Sequence, residues 1–320
     1  MNRDKIATVD YHDYSNGDAT ARKKFIQEFG DSLMNMGFAI VKNHGVTADL
    51  RAKLFDVSKA FFTQPDELKR KYEGDNNGQR GYVSKNKESA KGKSVPDLKE
   101  FYHIGQNVTD GDPIGKAYPA NIWPAEIKEF RQVGWDVYQT FENTGRNLLR
   151  SIALYLNLDE NYFDSRIHNG NSILRLLHYY AVTDTSQIPA GAVRAAAHGD
   201  INLITLLMGG SAEGLEAQTL DGVWIPVSPA PDEIIINIGD MLARLTNDKL
   251  RSTQHRVITP NEESWLSPRF STPFFLHPRS DMDLTCLESC VTAERPKSYS
   301  DCNAGEFLDE RLVELGLKKS

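Results

Sequence analysis

Apolar positions in the first half of the chain recur at helical spacing. Phe25, Phe29, Leu33 and Met36 can share one face, which predicts a helix over Ala19–Met36 that Gly37 ends. Phe38-Ala39-Ile40-Val41 reads as a buried strand running into Asn43-His44-Gly45, and Ile6–Val9 as a shorter strand. Ala48–Phe62 predicts a second helix, stopped by Pro65, with a short one around Asp66–Tyr72. Residues 73–121 are rich in Gly and Lys and read as loop-rich ground, where long loops often carry function. A long helix is expected from Pro124, suited to a first helical turn, to about Leu156. Phe130, Val133, Val137, Phe141, Leu148, Ile152 and Tyr155 keep its period.

From Ser172 the pattern changes. Short apolar runs appear at Ile173–Tyr180, Arg194–His198, Leu203–Met208, Leu215–Gln218, Val223–Val227, Ile234–Ile238, Gln254–Ile258 and Arg269–Leu276. Turn signals separate them: Gly209-Gly210, Asp221-Gly222, Pro229–Pro231, Gly239-Asp240, Asn247-Asp248 and Pro260-Asn261. Such spacing predicts an all-β sandwich or barrel. A last helix is expected at about Ala304–Leu315. The fold class is therefore mixed α/β with an all-β core, flanked by helices of the N-terminal half and a C-terminal helix.

Composition narrows the function classes. Of the 320 residues 40% are hydrophobic and 25% charged, as in soluble globular proteins. No window approaches a membrane span. The net charge of -7, from 37 basic and 44 acidic residues, argues against a nucleic-acid surface. Cys286, Cys290 and Cys302 are odd in number and confined to the tail, so free thiols are expected rather than a disulfide framework or a zinc site. Met1–Lys5 leads into no apolar signal core, and a reducing cytoplasm is the expected compartment. Oligomeric state is not legible.

Candidate chemistry starts at His198-Gly199-Asp200. Residues two apart on a strand point to one face, so both side chains can reach one metal ion. A His-x-Asp pair alone carries little weight in a chain with 8 His. His255 opens a β run further on, and two imidazoles with one carboxylate suit non-haem Fe(II) with open positions, or zinc. Arg269 and Ser271 are again two apart, and a guanidinium with a hydroxyl can grip a carboxylate. The competing readings are a hydrogen-bonded strand-end His and a structural salt bridge. His12, His103, His168 and His277 lack a ligand partner at useful spacing, and His44 suits a structural turn.

In combination these motifs resemble the isopenicillin N synthase-like Fe(II)/2-oxoglutarate-dependent dioxygenases. The resemblance adds Asn237-Ile238-Gly239-Asp240, Leu245-Thr246-Asn247, His255-Arg256-Val257 and Arg269-Phe270-Ser271-Thr272-Pro273-Phe274-Phe275. In the first half it adds Gly37-Phe38, Val41-x-Asn43-His44-Gly45, Phe61-Phe62 with Pro65, and Arg80-Gly81-Tyr82, and so spans about residues 6 to 280. It implies a double-stranded β-helix (jelly roll) with His198, Asp200 and His255 on iron, and Arg269 and Ser271 on the distal carboxylate of 2-oxoglutarate. Tyr180 falls where the family often places a Tyr near the cosubstrate, although Ala181 stands where the family often has Pro. The implied reaction couples oxidative decarboxylation of 2-oxoglutarate to succinate with O2-dependent oxidation of a small organic substrate. Hydroxylation is the expected outcome, with desaturation or cyclisation open, and ascorbate is a candidate reductant. The expected organisation is an N-terminal helical and strand region with a loop-rich substrate side over 1–121, a long helix and catalytic core over 122–280, and a C-terminal segment over 281–320, forming one integrated domain.

Four residues are candidates on the substrate side. Arg194 shares strand parity with His198 and would suit an acidic substrate, against a strand-end Arg in solvent. Arg80 and Tyr82 resemble positions near the family's substrate mouth. Asn202 follows the metal strand and would sit behind the ligands. Two other functions remain open on motifs alone. One is a same-fold Fe(II) oxidase that takes electrons without 2-oxoglutarate, as isopenicillin N synthase and the ethylene-forming plant oxidase do. The other is a metal-binding jelly roll without turnover; a zinc hydrolase would need a general base that is not evident.

Overall fold

Asp18 caps the first long helix, its carboxylate accepting from the backbone N–H groups of Thr20 and Ala21 at 2.9 Å. Gly37 ends that helix at φ 70°, where an added Cβ would stand 2.4 Å from Thr253 Oγ1. The computed structural model describes residues 5–74, 78–85, 87, 98–182, 184, 188, 193–209, 214–259 and 261–314. The turn signals at residues 75–77, 86, 210 and 260, and the expected helix end at Leu315, lie outside them.

In chain order the elements are β1 (Thr8–Asp10), α1 (Tyr11–Ser15), α2 (Ala19–Met36), β2 (Phe38–Lys42), α3 (Ala48–Phe62), α4 (Asp66–Arg70), β3 (Gly81–Val83) and β4 (Glu100–Gly105). Then come α5 (Phe130–Tyr155), α6 (Asp164–Ile167), β5 (Ile173–Tyr179), β6 (Ala195–His198), β7 (Ile204–Met208), β8 (Leu215–Gln218), β9 (Trp224–Pro226) and β10 (Glu233–Ile238). The chain closes with α7 (Asp240–Leu245), β11 (His255–Val257), β12 (Arg269–Leu276) and α8 (Ala304–Glu314). Among the described residues one sheet has eight strands in the order β1-β2-β10-β7-β12-β5-β4-β3, and a second has four, β6-β11-β8-β9. All pairings except β1 with β2 are antiparallel.

The large sheet is buried on both faces, which is why β2, β7 and β10 at its centre read as nearly continuous apolar runs. One face, with Leu174, Leu206, Ile236 and Phe274, packs on α2, α3 and α5. The other turns toward the small sheet, where Phe38, Ile40 and Ile235 meet Ala195, Leu215, Ala217 and Val257. Two antiparallel sheets closed on a shared interior make the expected jelly roll. Among the described residues no helix is long and apolar enough to cross a membrane.

Three expectations are corrected. The long helix begins at Phe130 rather than Pro124; residues 125–129 form turns instead, with the Ala125 N–H donating to the Tyr72 hydroxyl, which also bonds Glu126. The segment read as loops contains β3 and β4, whose polar residues disguise a strand that is buried throughout. Gly239-Asp240, read as a turn, opens α7, a helix too short to show a period but buried at Met241, Leu242, Ala243 and Leu245.

β4 also carries an ionic cluster on the helix-facing side. Glu100 accepts from Lys69 Nζ at 2.7 Å, from His178 Nδ1 at 2.8 Å and from the Tyr82 hydroxyl. The side chains of Lys69 and Glu100 are at most 2% exposed. Burial alone would raise the Glu100 pKa; the bonds from His178, Lys69 and Tyr82 outweigh it and hold the carboxyl below its usual range. Glu100→Gln leaves the buried Lys69 ammonium with only the half-exposed Asp66, 2.9 Å away, so unfolding free energy should fall by about 1–3 kcal/mol at neutral pH. A carboxyl with a depressed folded pKa stabilises the fold above its unfolded pKa, and that contribution is lost as pH falls through the folded one. Denaturant titrations should therefore show the wild-type advantage shrinking below about pH 4.

Candidate active site

The register of the small sheet brings the two imidazoles together. His255 opens β11 and pairs with His198, which closes β6. Their ring centroids are 4.4 Å apart. Asp200 follows two residues on, with Oδ1 3.9 Å from His198 Nε2 and 3.8 Å from His255 Nε2. The ligand atoms of all three lie within 4.8 Å of one another, and they are the one such group of three or more among the described residues.

Hydrogen bonds behind each side chain fix which atom faces inward. His198 Nδ1 lies 2.7 Å from the Ala196 carbonyl and His255 Nδ1 lies 3.2 Å from that of Thr253. A carbonyl only accepts, so each Nδ1 carries the hydrogen and each Nε2 keeps its lone pair for the cluster. Thr253 is held in turn by its Oγ1 bond to Met36 O, 2.8 Å, beneath Gly37. Asp200 Oδ2 accepts from Thr205 Oγ1 at 2.5 Å and Asn237 Nδ2 at 2.8 Å, which leaves Oδ1 facing the imidazoles. Burial raises the Asp200 pKa, but His255, His198, Asn237 and Thr205 together outweigh it and keep the carboxyl ionised. His198 keeps 45% of its side chain exposed, yet the inner side of its ring is desolvated. That desolvation, and then the facing His255, lower its pKa and leave it neutral at pH 7.

This donor set fits a ferrous ion. Two neutral nitrogens and one carboxylate oxygen on one side of a point form a facial triad with open positions. Cis ligands about 2.1 Å from an ion stand about 3 Å apart, so the atoms, 3.8 to 4.8 Å apart, need to close by about 1–2 Å. Thr205→Val would leave Oδ2 held by Asn237 alone and should weaken Fe(II) binding about tenfold in anaerobic titration.

The second half of the site lies along β12. Phe275 pairs with Thr205, next to Asp200, while Arg269 and Ser271 stand at the start of the same strand opposite Tyr179 and Leu177. Arg269 and Ser271 are each 4% exposed. The Arg269 guanidinium lies 5.3 Å from the Tyr179 ring centroid.

The other sequence candidates fall elsewhere. Tyr180 lies past the end of β5, with the Lys85 ammonium 5.3 Å from its ring, and Tyr179 takes the place beside Arg269. Tyr82 points away from the triad, into the Glu100 cluster. Arg80 is wholly buried against Gly105 and donates to Gln79 O at 2.8 Å and Asn171 Oδ1 at 3.1 Å, not at a mouth. Asn202 lies behind Asp200: its amide donates to Thr205 Oγ1 at 2.9 Å, and that hydroxyl donates to Asp200 Oδ2. Arg194 is neither in solvent nor beside His198. It is 4% exposed and lies between Tyr179 and Trp265.

Sequence reasoning missed Thr205 and Asn237, which support Asp200, and the pair Arg175 and His103. Arg175 alternates on β5 with Leu177 and Tyr179, so it shares their interior face. Its Nε donates to His103 Nε2 at 2.7 Å, and its guanidinium lies 4.2 Å from the Phe101 ring and 5.2 Å from that of Phe275. A charge in the middle of an apolar strand was the available signal.

Known proteins resemble this chain along most of its length. The model of the non-haem dioxygenase in morphine synthesis N-terminal region matches residues 6–126, and that of the 2OG-Fe(II) oxygenase superfamily matches residues 170–278. The 2-oxoglutarate-Fe(II) type oxidoreductase ppzD of Metarhizium rileyi is 32% identical over 97% of this chain and 91% of its own. A 2OG-Fe(II) oxygenase family protein of Caulobacter crescentus has a crystal structure that superposes with a TM-score of 0.87, at 42% identity over 97% of this chain and 99% of that one. A full-length Neurospora crassa protein, solved with alpha-KG (2-oxoglutarate) and thymine, gives a TM-score of 0.85 at 31% identity over 98% of both chains. With both halves matched and full-length relatives above 30% identity, this chain belongs to the 2OG-Fe(II) oxygenase superfamily.

Proposed function

We propose that the protein hydroxylates a small organic substrate, with His198, Asp200 and His255 holding Fe(II) and Arg269 and Ser271 seating the distal carboxylate of 2-oxoglutarate. The observation that carries this reading is the convergence of Nε2, Nε2 and Oδ1 within 4.8 Å, each turned inward by a hydrogen bond behind it. When bound, iron and 2-oxoglutarate supply the activation of dioxygen, coupled to loss of CO2 and formation of succinate.

The chain's own residues orient and exclude. Ala196 O and Thr253 O hold the two rings in the tautomer that binds metal, and Asn237 and Thr205 hold the carboxylate. Phe38 meets the His255 ring edge-on at 5.7 Å and keeps water from that side. Arg269 in a dry pocket gives a carboxylate a charge-assisted, two-point partner, with Ser271 on the same face. The substrate side is the wall formed by Phe101, Phe275 and Arg175. Aromatic faces with one fixed guanidinium suit a compact substrate that carries oxygen acceptors. Thymine bound to the Neurospora crassa protein and the name of the proline hydroxylase buaE of Petromyces alliaceus, 34% identical over 97% of this chain, point to the same size class. The free cysteines fit a reducing compartment, the cytoplasm.

The test is stoichiometric. Purified protein with Fe(II), O2 and 2-oxoglutarate should release succinate and CO2, faster with a cognate substrate. O2 uptake that is independent of 2-oxoglutarate would favour the oxidase reading instead.

A further inference from the structure

Beside the proposed cosubstrate clamp the structure holds a second buried cation. Arg194 immediately precedes β6 and is 4% exposed. Its NH2 group is satisfied by the carbonyls of Ser264 and Ser267, the latter at 2.9 Å. Its NH1 group is buried and has no acceptor among the described residues. Its guanidinium lies 5.8 Å from the Tyr179 ring centroid and 5.6 Å from that of Trp265. Arg269 shares the Tyr179 ring, from 5.3 Å. Among the described residues no carboxylate lies within ion-pair distance of Arg194. Its nearest charged neighbour is another guanidinium, and repulsion from Arg269 adds to the cost of its burial.

A buried donor without an acceptor is costly, and a buried cation facing a like charge more so. An arrangement of that kind is expected where a ligand completes it. The ligand must be an anion, it must lie at the Tyr179 end of the interior, and it must have acceptor capacity beyond what Arg269 and Ser271 use. A carboxylate has about four lone-pair sites, enough for a hydroxyl and two guanidiniums.

We infer that Arg194 is a second arm of the clamp, its NH1 donating to the same distal carboxylate that Arg269 and Ser271 hold. This rests on the 2-oxoglutarate reading above. Two guanidiniums over one tyrosine make the site selective for oxo acids with a second carboxylate. The arm is also tied, through Ser264 and Ser267, to the turn at Glu262–Leu266 that precedes β12. Arg194 thus serves the cosubstrate and not the primary substrate, whose wall is at the Phe275 end.

The experiment compares two ligands that differ only at the distal end. Protein loaded anaerobically with Fe(II) is titrated calorimetrically with 2-oxoglutarate and with 2-oxobutyrate, a 2-oxo acid without the distal carboxylate. Arg194→Met keeps the packing between Tyr179 and Trp265 and removes the charge. It should weaken 2-oxoglutarate binding about tenfold or more and leave 2-oxobutyrate unchanged. Arg194→Lys should recover part of the loss, since it restores charge without the fork. Equal weakening of both ligands, or of neither, overturns the assignment and leaves Arg194 a structural cap. If Arg194→Met does not fold, the same comparison on Arg194→Lys decides. Arg269→Ala is the control for the parent reading. Loss of 2-oxoglutarate selectivity there, but not at Arg194, sinks only the second arm; no selectivity in the wild type sinks both.

Discussion

Asp200→Asn should abolish succinate formation, by at least about 100-fold, more than loss of a supporting hydrogen bond costs. The substitution removes the one negative charge among the three ligands. It also puts an amide where Thr205 Oγ1 and Asn237 Nδ2 both donate to Oδ2. If the new carbonyl oxygen keeps those two bonds, the NH2 group turns toward the imidazoles and opposes any cation there. If the amide flips, its NH2 meets two donors in a buried position, 7% exposed. Either way the cluster loses its anionic ligand, so excess 2-oxoglutarate should not rescue the variant. Purified protein should carry little iron by metal analysis. Full iron content with full turnover would exclude Asp200 as a ligand.

Arg269→Ala should behave differently. Charge-assisted hydrogen bonds in a dry pocket contribute about 1.5–3 kcal/mol each, so the 2-oxoglutarate KM should rise about tenfold to a hundredfold. Iron content should be unchanged, because Arg269 lies at the opposite end of β12 from Phe275 and Thr205. At saturating 2-oxoglutarate much of kcat should return. Arg269→Lys should recover affinity only in part, since an ammonium cannot reproduce the two-point grip. An unchanged KM in Arg269→Ala would remove the residue from the clamp.

What could be read before folding, and what could not, divides along a physical line. The helices over residues 19–36 and 48–62 bury one stripe each, so periodicity found them. The strands after Ser172 are short and punctuated by Gly, Pro, Asn and Asp, so turn chemistry found them. β4 was hidden because Glu100, Tyr102 and His103 look like surface residues until Lys69, the Ile122 carbonyl and Arg175 are brought to them. The convergence of His198, Asp200 and His255 was legible because the His-x-Asp pair and His255 sit where the family's order puts them.

Side-chain direction was less legible. Parity counted back from His198 puts Arg194 beside the metal, but the register between β6 and β11 slips: His198 pairs with His255 while Ala195 pairs with Val257. Two residues, Ala196 and Ala197, stand opposite Arg256 alone, and a bulge of that kind re-aims everything before it. Tyr180 failed for a related reason, since β5 ends one residue earlier. Tyr82 was placed near the site by order along the chain, yet it is held by a buried partner that no local pattern announces, Glu100; Asn202 does lie behind Asp200, through Thr205.

The central claim is that His198, Asp200 and His255 hold ferrous iron on which 2-oxoglutarate seats itself against Arg269. Its most direct test is an anaerobic titration of the wild-type protein with Fe(II) and then 2-oxoglutarate, followed by visible absorption. A broad band should appear only when both are present, saturate at one iron per chain, vanish in Asp200→Asn, and require far more 2-oxoglutarate in Arg269→Ala. A band of undiminished intensity in Asp200→Asn, or none in the wild type at saturating iron and 2-oxoglutarate, would contradict it.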